Sequence, residues 1–130
     1  MPKKTILIVD DHPLVREGLE SILKTAAEYE VVGQAGNARD AIQMVKNLKP
    51  DLVLLDLGLP DKSGIQLSSE IRNISSPTRI LIISMHSNVD YIVKAFQAGA
   101  TGYMTKESAT QRLLIGIAQV LKGEYFMDAS

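Results

Sequence analysis

The stretch that decides the fold is Lys49-Pro50-Asp51-Leu52-Val53-Leu54-Leu55-Asp56-Leu57-Gly58-Leu59-Pro60-Asp61-Lys62-Ser63-Gly64. Four consecutive apolar residues, Leu52 to Leu55, show no alternation with polar ones, so both faces of that strand are expected to be buried. Strands of this kind belong to parallel sheets covered by helices on both sides. The run stops at a carboxylate, Asp56, and Gly58, Pro60 and Gly64 then punctuate a loop. Ligands of open α/β sheets bind outside the carboxyl ends of the strands, which makes an ionisable group at that mouth a site candidate.

The same pattern recurs on either side. Ile6-Leu7-Ile8-Val9 predicts a first buried strand, closed by Asp10 and Asp11. Pro13 suits a first helical turn, and Val15, Leu19, Ile22 and Leu23 then recur at helical spacing, predicting a helix over 13–26. A second strand is expected over 29–35. Asn37 is read as the N-cap of a second helix carrying Ala38, Ala41, Ile42, Val45 and Leu48 on one face, and Pro50 ends it. A third helix follows the Asp56 loop, suggested by Ile65, Ser68, Ile71 and Arg72, with an apolar face that includes Leu67 and Ile74. Residues 79–83 predict a fourth buried strand closing at Ser84. Ser87 to Asp90 caps a fourth helix with Val89, Ile92, Val93 and Phe96 on its apolar face, and Gly99 stops it. A short fifth strand spans 100–104, Ser108 to Gln111 reads as a capping box, and a last helix stops at Gly123. Five strands alternating with five helices give an α/β parallel sheet covered on both faces, with right-handed crossovers. The order 2-1-3-4-5 is a common solution and places a site between strands 1 and 3.

Composition narrows the class. The chain has 130 residues, 45% hydrophobic and 22% charged, which fits one globular domain. There is no cysteine, and hence no disulfide or thiolate metal site. A net charge of −1 lacks the electrostatic footprint of a nucleic-acid binder. The apolar run before Asp10 is too short for a signal peptide or a membrane span, and a cytoplasmic location is expected.

In the order 2-1-3-4-5, Asp10, Asp11 and Asp56 share one end of the sheet. Clustered carboxylates need a cation or a raised pKa, and an all-oxygen set suits Mg²⁺. Lys106 after strand 5 and Ser84 after strand 4 lie at the same edge, where a lysine pairs with carboxylate or phosphate and a hydroxyl donates to a phosphoryl oxygen. A carboxylate can itself be a nucleophile toward phosphorus. The inferred chemistry is phosphoryl acceptance on Asp56.

Taken in order, Asp10-Asp11, Asp56 with Pro60 and Gly64 behind it, Ser84, Tyr103 and Lys106 resemble the receiver domain of two-component response regulators, over essentially the whole chain. The runs Val9-Asp10-Asp11-His12-Pro13-Leu14-Val15-Arg16-Glu17-Gly18-Leu19 and Ala98-Gly99-Ala100-Thr101-Gly102-Tyr103 resemble the NarL/FixJ branch, whose members carry a LuxR-type helix-turn-helix after the receiver. The resemblance implies a flavodoxin-like doubly wound (βα)5 sandwich. It implies that a sensor histidine kinase phosphorylates Asp56 in a reaction requiring Mg²⁺ (or Mn²⁺). Asp11 is then the main metal carboxylate, with Asp10 beside it and Asp56 and the Gly58 backbone carbonyl completing the protein ligands. Ser84 and Tyr103 form a switch pair, and Lys106 holds the phosphoryl group or, before that, Asp56. Ser84 is expected to move toward the phosphoryl group and Tyr103 to rotate inward. The implied role is a signalling switch with at most slow self-dephosphorylation, not an enzyme, and it involves a homodimer on phosphorylation. On this reading residues 1–123 are the receiver and 124–130 begin a linker; DNA is contacted only through an effector domain not contained in this chain, and no membrane is involved. The sequence departs from the family pattern in three places: Glu107 where proline often follows the lysine, Gly58 where a larger side chain is usual, and Met85 where a small residue is usual.

Competing readings stay on the table. Asp10-Asp11 by itself could be a polar strand end entering a helix N-terminus, where carboxylates are favoured. A stand-alone receiver acting through protein contacts is the alternative closest to the main reading. A small Mg²⁺-dependent phosphohydrolase is disfavoured because no second acid lies two residues after Asp56 or Asp10. A flavodoxin-like cofactor binder is disfavoured by the acidic site. His12 is read as a helix N-cap residue and His86 as a loop histidine, neither with a metal or phosphohistidine role, and no dinucleotide or P-loop spacing exists.

Overall fold

The computed structural model describes residues 2–129. Among these, β1 (Lys4–Val9), α1 (Pro13–Leu23), β2 (Tyr29–Ala35), α2 (Ala38–Leu48), β3 (Leu52–Leu55), α3 (Gly64–Ile74), β4 (Arg79–Ser84), α4 (Val89–Gln97), β5 (Gly102–Thr105), α5 (Lys106–Leu121) and β6 (Phe126–Asp128) follow in order. The sheet is parallel throughout, in the order β2-β1-β3-β4-β5-β6. The expected flavodoxin-like order 2-1-3-4-5 is met, and a sixth strand extends it.

Strand alternation divides the core into two layers. Leu7, Val9, Val53, Leu55, Ile80 and Ile82 face α2, α3 and α4, where Ala41, Val45, Leu67, Ile71 and Ala95 meet them. Ile6, Ile8, Leu52, Leu54, Leu81 and Ile83 face α1 and α5, with Leu19, Leu23, Leu113, Ile117 and Val120 opposite. The central strands are buried on both sides, which is why their sequences read as unbroken apolar runs.

Helix ends follow the local chemistry. Asn37 caps α2 by accepting the Asp40 N–H at 2.8 Å. Gly99, with φ +104°, takes the left-handed position after α4; its N–H bonds the Phe96 carbonyl and the Ala100 N–H bonds that of Ala95.

Several expectations are corrected. The start of α5 is not Ser108: Thr105 is the N-cap and its hydroxyl accepts the Ser108 N–H at 3.2 Å, so Lys106 opens the helix three residues earlier than the capping box suggested. The first helix ends at Leu23 rather than near residue 26. Ile74, Val89 and Val93 remain exposed, because α3 and α4 bury only narrow stripes centred on Leu67–Ile71 and Ile92–Ala95. Within the segment read as a linker, residues 126–128 pair with β5, and the buried Phe126 ring fills the notch left by Gly116. Ser130, at the end of that segment, lies outside the described residues.

Candidate functional site

Register places the site. Val9 pairs with Leu55, so Asp10 and Asp56 leave the sheet side by side; the Asp56 N–H donates to the Val9 carbonyl at 2.9 Å. Ser84 pairs with Thr105 one strand further on, which brings Ser84 and Lys106 to the same edge.

Asp56 and Asp10 are both buried carboxylates, 6% and 2% exposed. Lys106 Nζ lies between them, 3.1 Å from Asp10 Oδ2 and 3.6 Å from Asp56 Oδ1. Its position at the first residue of α5 explains this reach. Burial pushes the Asp56 carboxyl above its ordinary value; Asp10 and Asp11 add to the rise, while Lys106 and the Gly58 N–H oppose it.

The acceptor loop is held from outside. The Gly64 N–H donates to the Leu57 carbonyl at 2.9 Å, and Gly58 bridges Ser63. Asp61 accepts the Ala38 and Arg39 N–H groups at 2.8 and 3.1 Å, tying the loop to the α2 N-terminus. Those N–H groups hold its carboxyl below the usual range. A side chain on Gly58 would place its Cβ 3.7 Å from Asp56 Oδ2, so the glycine leaves that flank of the carboxylate open.

The expected switch residues meet through one backbone residue. Ser84 Oγ accepts the His86 N–H at 3.0 Å, and the Tyr103 hydroxyl donates to the His86 carbonyl at 2.8 Å. Tyr103 is already fully buried. The expectation that its ring rotates inward on activation therefore finds the ring inside at the outset. Burial raises the Tyr103 phenol above its ordinary value, opposed by the neighbouring Ser84 hydroxyl.

His12, read from the sequence as a helix N-cap with no metal role, is indeed the N-cap of α1, but its ring also meets the acidic cluster. Its Nδ1 lies 2.9 Å from Asp10 Oδ1 and 3.0 Å from Asp11 Oδ1. It hydrogen-bonds only the former, and Asp11 Oδ1 is buried without a hydrogen-bond partner. The signal available in sequence was its place directly after the two carboxylates.

Asp10, Asp11, His12 and Asp56 each offer a ligand atom, all within 4.8 Å of one another. An orphaned carboxylate oxygen beside two more carboxylates fits a hard divalent cation, and Asp11 is the group best placed to bind it.

Because burial raises the Asp56 pKa, protonated Asp56 favours the folded state. Stability from this group is complete below the unfolded-state pKa and is lost as pH rises through the folded one. In metal-free buffer at pH 7, Asp56→Asn is thus expected to raise the Tm. Saturating Mg²⁺ should narrow the gap, because the wild type offers the cation one more carboxylate than the variant. A variant melting at or below the wild type in EDTA would contradict the assigned strain.

Comparison with known proteins agrees with this geometry. The model of the response regulator receiver domain family matches residues 6–118. The nitrate/nitrite response regulator protein NarL of Escherichia coli K12 is 36% identical over 124 residues, covering 95% of this chain and 57% of NarL. The chain thus spans about half the length of the curated relatives it matches. A crystal structure of a LuxR-family two-component response regulator from Aurantimonas sp. SI85-9A1 superposes with a TM-score of 0.92 at 39% identity, covering 97% of this chain and 90% of that one. The isolated receiver of RcsB from Salmonella enterica serovar Typhimurium, solved with phosphomimetic BeF3-, gives a TM-score of 0.88 at 26% identity over 96% of this chain and 93% of that one. No helix among the described residues is long and apolar enough to cross a membrane. The chain belongs to the receiver-domain family of two-component response regulators, in its NarL/LuxR branch.

Proposed function

We propose that Asp56 accepts a phosphoryl group from a sensor histidine kinase, in a Mg²⁺-dependent reaction. The resulting change at the face of α4, β5 and α5 then controls a DNA-binding, transcription-regulating effector outside this chain. The observation that carries this reading is the placement of Asp56: a buried carboxylate whose Oδ1 faces Lys106 and whose Oδ2 faces the open flank at Gly58. Family membership and the RcsB receiver solved with a phosphomimetic support it.

In the reaction, an Asp56 carboxylate oxygen attacks phosphorus, and the bond to the donor histidine nitrogen breaks, returning its electron pair to the imidazole. Bound Mg²⁺ supplies charge neutralisation for the transferring group. Asp11 and Asp10 hold it, with Asp56 and the Gly58 carbonyl as the remaining protein ligands. Lys106 exchanges its contact with Asp56 for a phosphoryl oxygen, a point-charge pairing that suits lysine. Ser84 donates its hydroxyl to another phosphoryl oxygen. As Ser84 moves, it pulls on the His86 N–H it now accepts. Tyr103 holds the carbonyl of the same residue, so the β4–α4 loop and the buried ring respond together. This is a shift between two states, limited by the energy difference created at Asp56.

The reading places the protein in the cytoplasm with a histidine kinase and a second copy of itself as partners. It is tested by titrating beryllofluoride into the Mg²⁺-loaded protein and following thermal stability. Binding at a hundredfold excess over Kd should add about 2.7 kcal/mol of stability, and Asp56→Asn should show no response. An equal response in the variant would overturn the acceptor assignment.

A further inference from the structure

We propose that Arg16, near the start of α1, is a positioning residue: its guanidinium fixes the peptide between Asp10 and Asp11 and so aims the Asp11 carboxylate. This rests on the reading of Asp11 as the main cation carboxylate. The β1–β2 ladder ends where the Asp10 N–H donates to the Ala35 carbonyl at 3.0 Å. The Asp10 carbonyl lies beyond it, and no backbone N–H among the described residues bonds that oxygen. Arg16 Nη1 donates to it instead, at 2.6 Å.

Three features hold the guanidinium there. Helical side chains lean toward the N-terminus, so Arg16 reaches back over the strand end. Its Nε donates to Gln34 Oε1 on β2 at 3.1 Å, and the Gln34 amide in turn donates to Glu20 Oε1, one turn further along α1. Gly36 leaves the room, because a Cβ at that position would stand 3.3 Å from Arg16 Nη1. A cation near a helix N-terminus is disfavoured by the helix dipole, and Arg16 forms no ion pair among the described residues. Its charge is committed instead to a carbonyl at the strand end, a stronger bond than a neutral donor would make.

The effect reaches Asp11 through the backbone. The carbonyl oxygen of residue 10 and the Cα of residue 11 share one rigid peptide plane. Holding that oxygen therefore sets the direction in which the Asp11 side chain leaves the strand end. Asp11 needs this support: its Oδ1 is buried without a hydrogen-bond partner, whereas Asp10 is held by Lys106 and His12. Arg16 thus acts through the main chain, keeping Asp11 in line before an ion arrives.

The test uses the intact 130-residue chain. Mg²⁺ affinity is followed by the shifts of backbone amide NMR signals, and the rate of Asp56 phosphorylation by acetyl phosphate is measured separately over a range of Mg²⁺ concentrations. Arg16→Met keeps the aliphatic stem and a good helix former. It should weaken Mg²⁺ binding at least about tenfold, the scale of losing a supporting partner of a metal ligand. The rate lost at low Mg²⁺ should return to within about twofold of the wild type at saturation. Arg16→Lys keeps one charged donor but not the fork to Gln34, so it should weaken binding only about threefold. Gly36→Ala crowds the guanidinium without removing it and should weaken binding by about threefold or more; it decides the matter if Arg16→Met does not fold. A purely structural role would lower the Tm and leave Mg²⁺ affinity unmoved, and that result in Arg16→Met, or in Gly36→Ala standing in for it, overturns the proposal. A rate that stays low at saturating Mg²⁺ also overturns it, because Arg16 would then act on the reaction itself. Asp11→Asn separates the two readings. Unchanged Mg²⁺ binding in that variant refutes the cation-site reading, whereas weakened binding there with none in Arg16→Met refutes only the role of Arg16.

Discussion

Asp56→Asn is expected to reduce phosphoryl incorporation from acetyl phosphate by a factor on the order of 10⁴ or more, the scale of losing a nucleophile. The substitution is nearly isosteric, and it exchanges the attacking carboxylate oxygen for an amide that cannot form the acyl phosphate. The fold should survive, because Asp56 contributes strain rather than stability as an anion. The acyl phosphate on Asp56 should be stable in acid and labile in alkali. Persistence of full acid-stable, alkali-labile labelling in Asp56→Asn would sink the assignment.

Gly64→Ala should destabilise the protein by about 2–3 kcal/mol, and by roughly 10 °C in Tm. A Cβ at position 64 would stand 2.4 Å from the Asp56 carbonyl oxygen and 2.7 Å from Leu57 Cα. Both are backbone atoms at the mouth of β3, so no side chain can swing away to relieve the clash. Relief requires displacing either the first turn of α3 or the acceptor segment, which is held by the Gly64–Leu57 hydrogen bond and the Asp61 contacts to α2. The variant should therefore also accept phosphate poorly even at temperatures where it is folded. Urea denaturation followed by circular dichroism gives the first quantity. A loss below about 1 kcal/mol would show that the loop moves freely, contrary to this close approach.

The two glycines of the loop illustrate how far the sequence could be read. Gly58 and Gly64 both marked a loop, and nothing local distinguished them. The structure separates their roles: Gly58 faces the open flank of Asp56, while Gly64 packs against backbone. Lys106 is a similar case. Its place after the fifth strand suggested the site, but the capping box at Ser108 put it outside the helix. The Thr105 cap makes it the first helical residue, which aims its side chain across the sheet end. A Ser/Thr cap can be satisfied at either of two nearby positions in sequence, and tertiary packing chooses between them.

Three features left no periodic signal at all. Residues 126–128 form a strand too short to show alternation, and it exists because Phe126 finds the Gly116 notch and β5 offers a free edge. Tyr103 reads as an aromatic in a short strand whether its ring points in or out; only the packing around it gives complete burial. His12 reads as a helix N-cap and nothing more until the two carboxylates before it are seen to meet its ring.

The sequence by itself determined the strands, the helices between them and the carboxylates, hydroxyl and lysine that end the strands. Those features are written in local periodicity, because burial on one or both faces constrains every neighbour along the chain. Only the tertiary structure decided the register between strands, where His12 and Tyr103 point, and which oxygens of Asp10, Asp11 and Asp56 lack a partner. Those facts depend on register between segments as distant as Thr5 and Asp51. Such contacts are set by how whole layers close on one another, and no short stretch of residues encodes them.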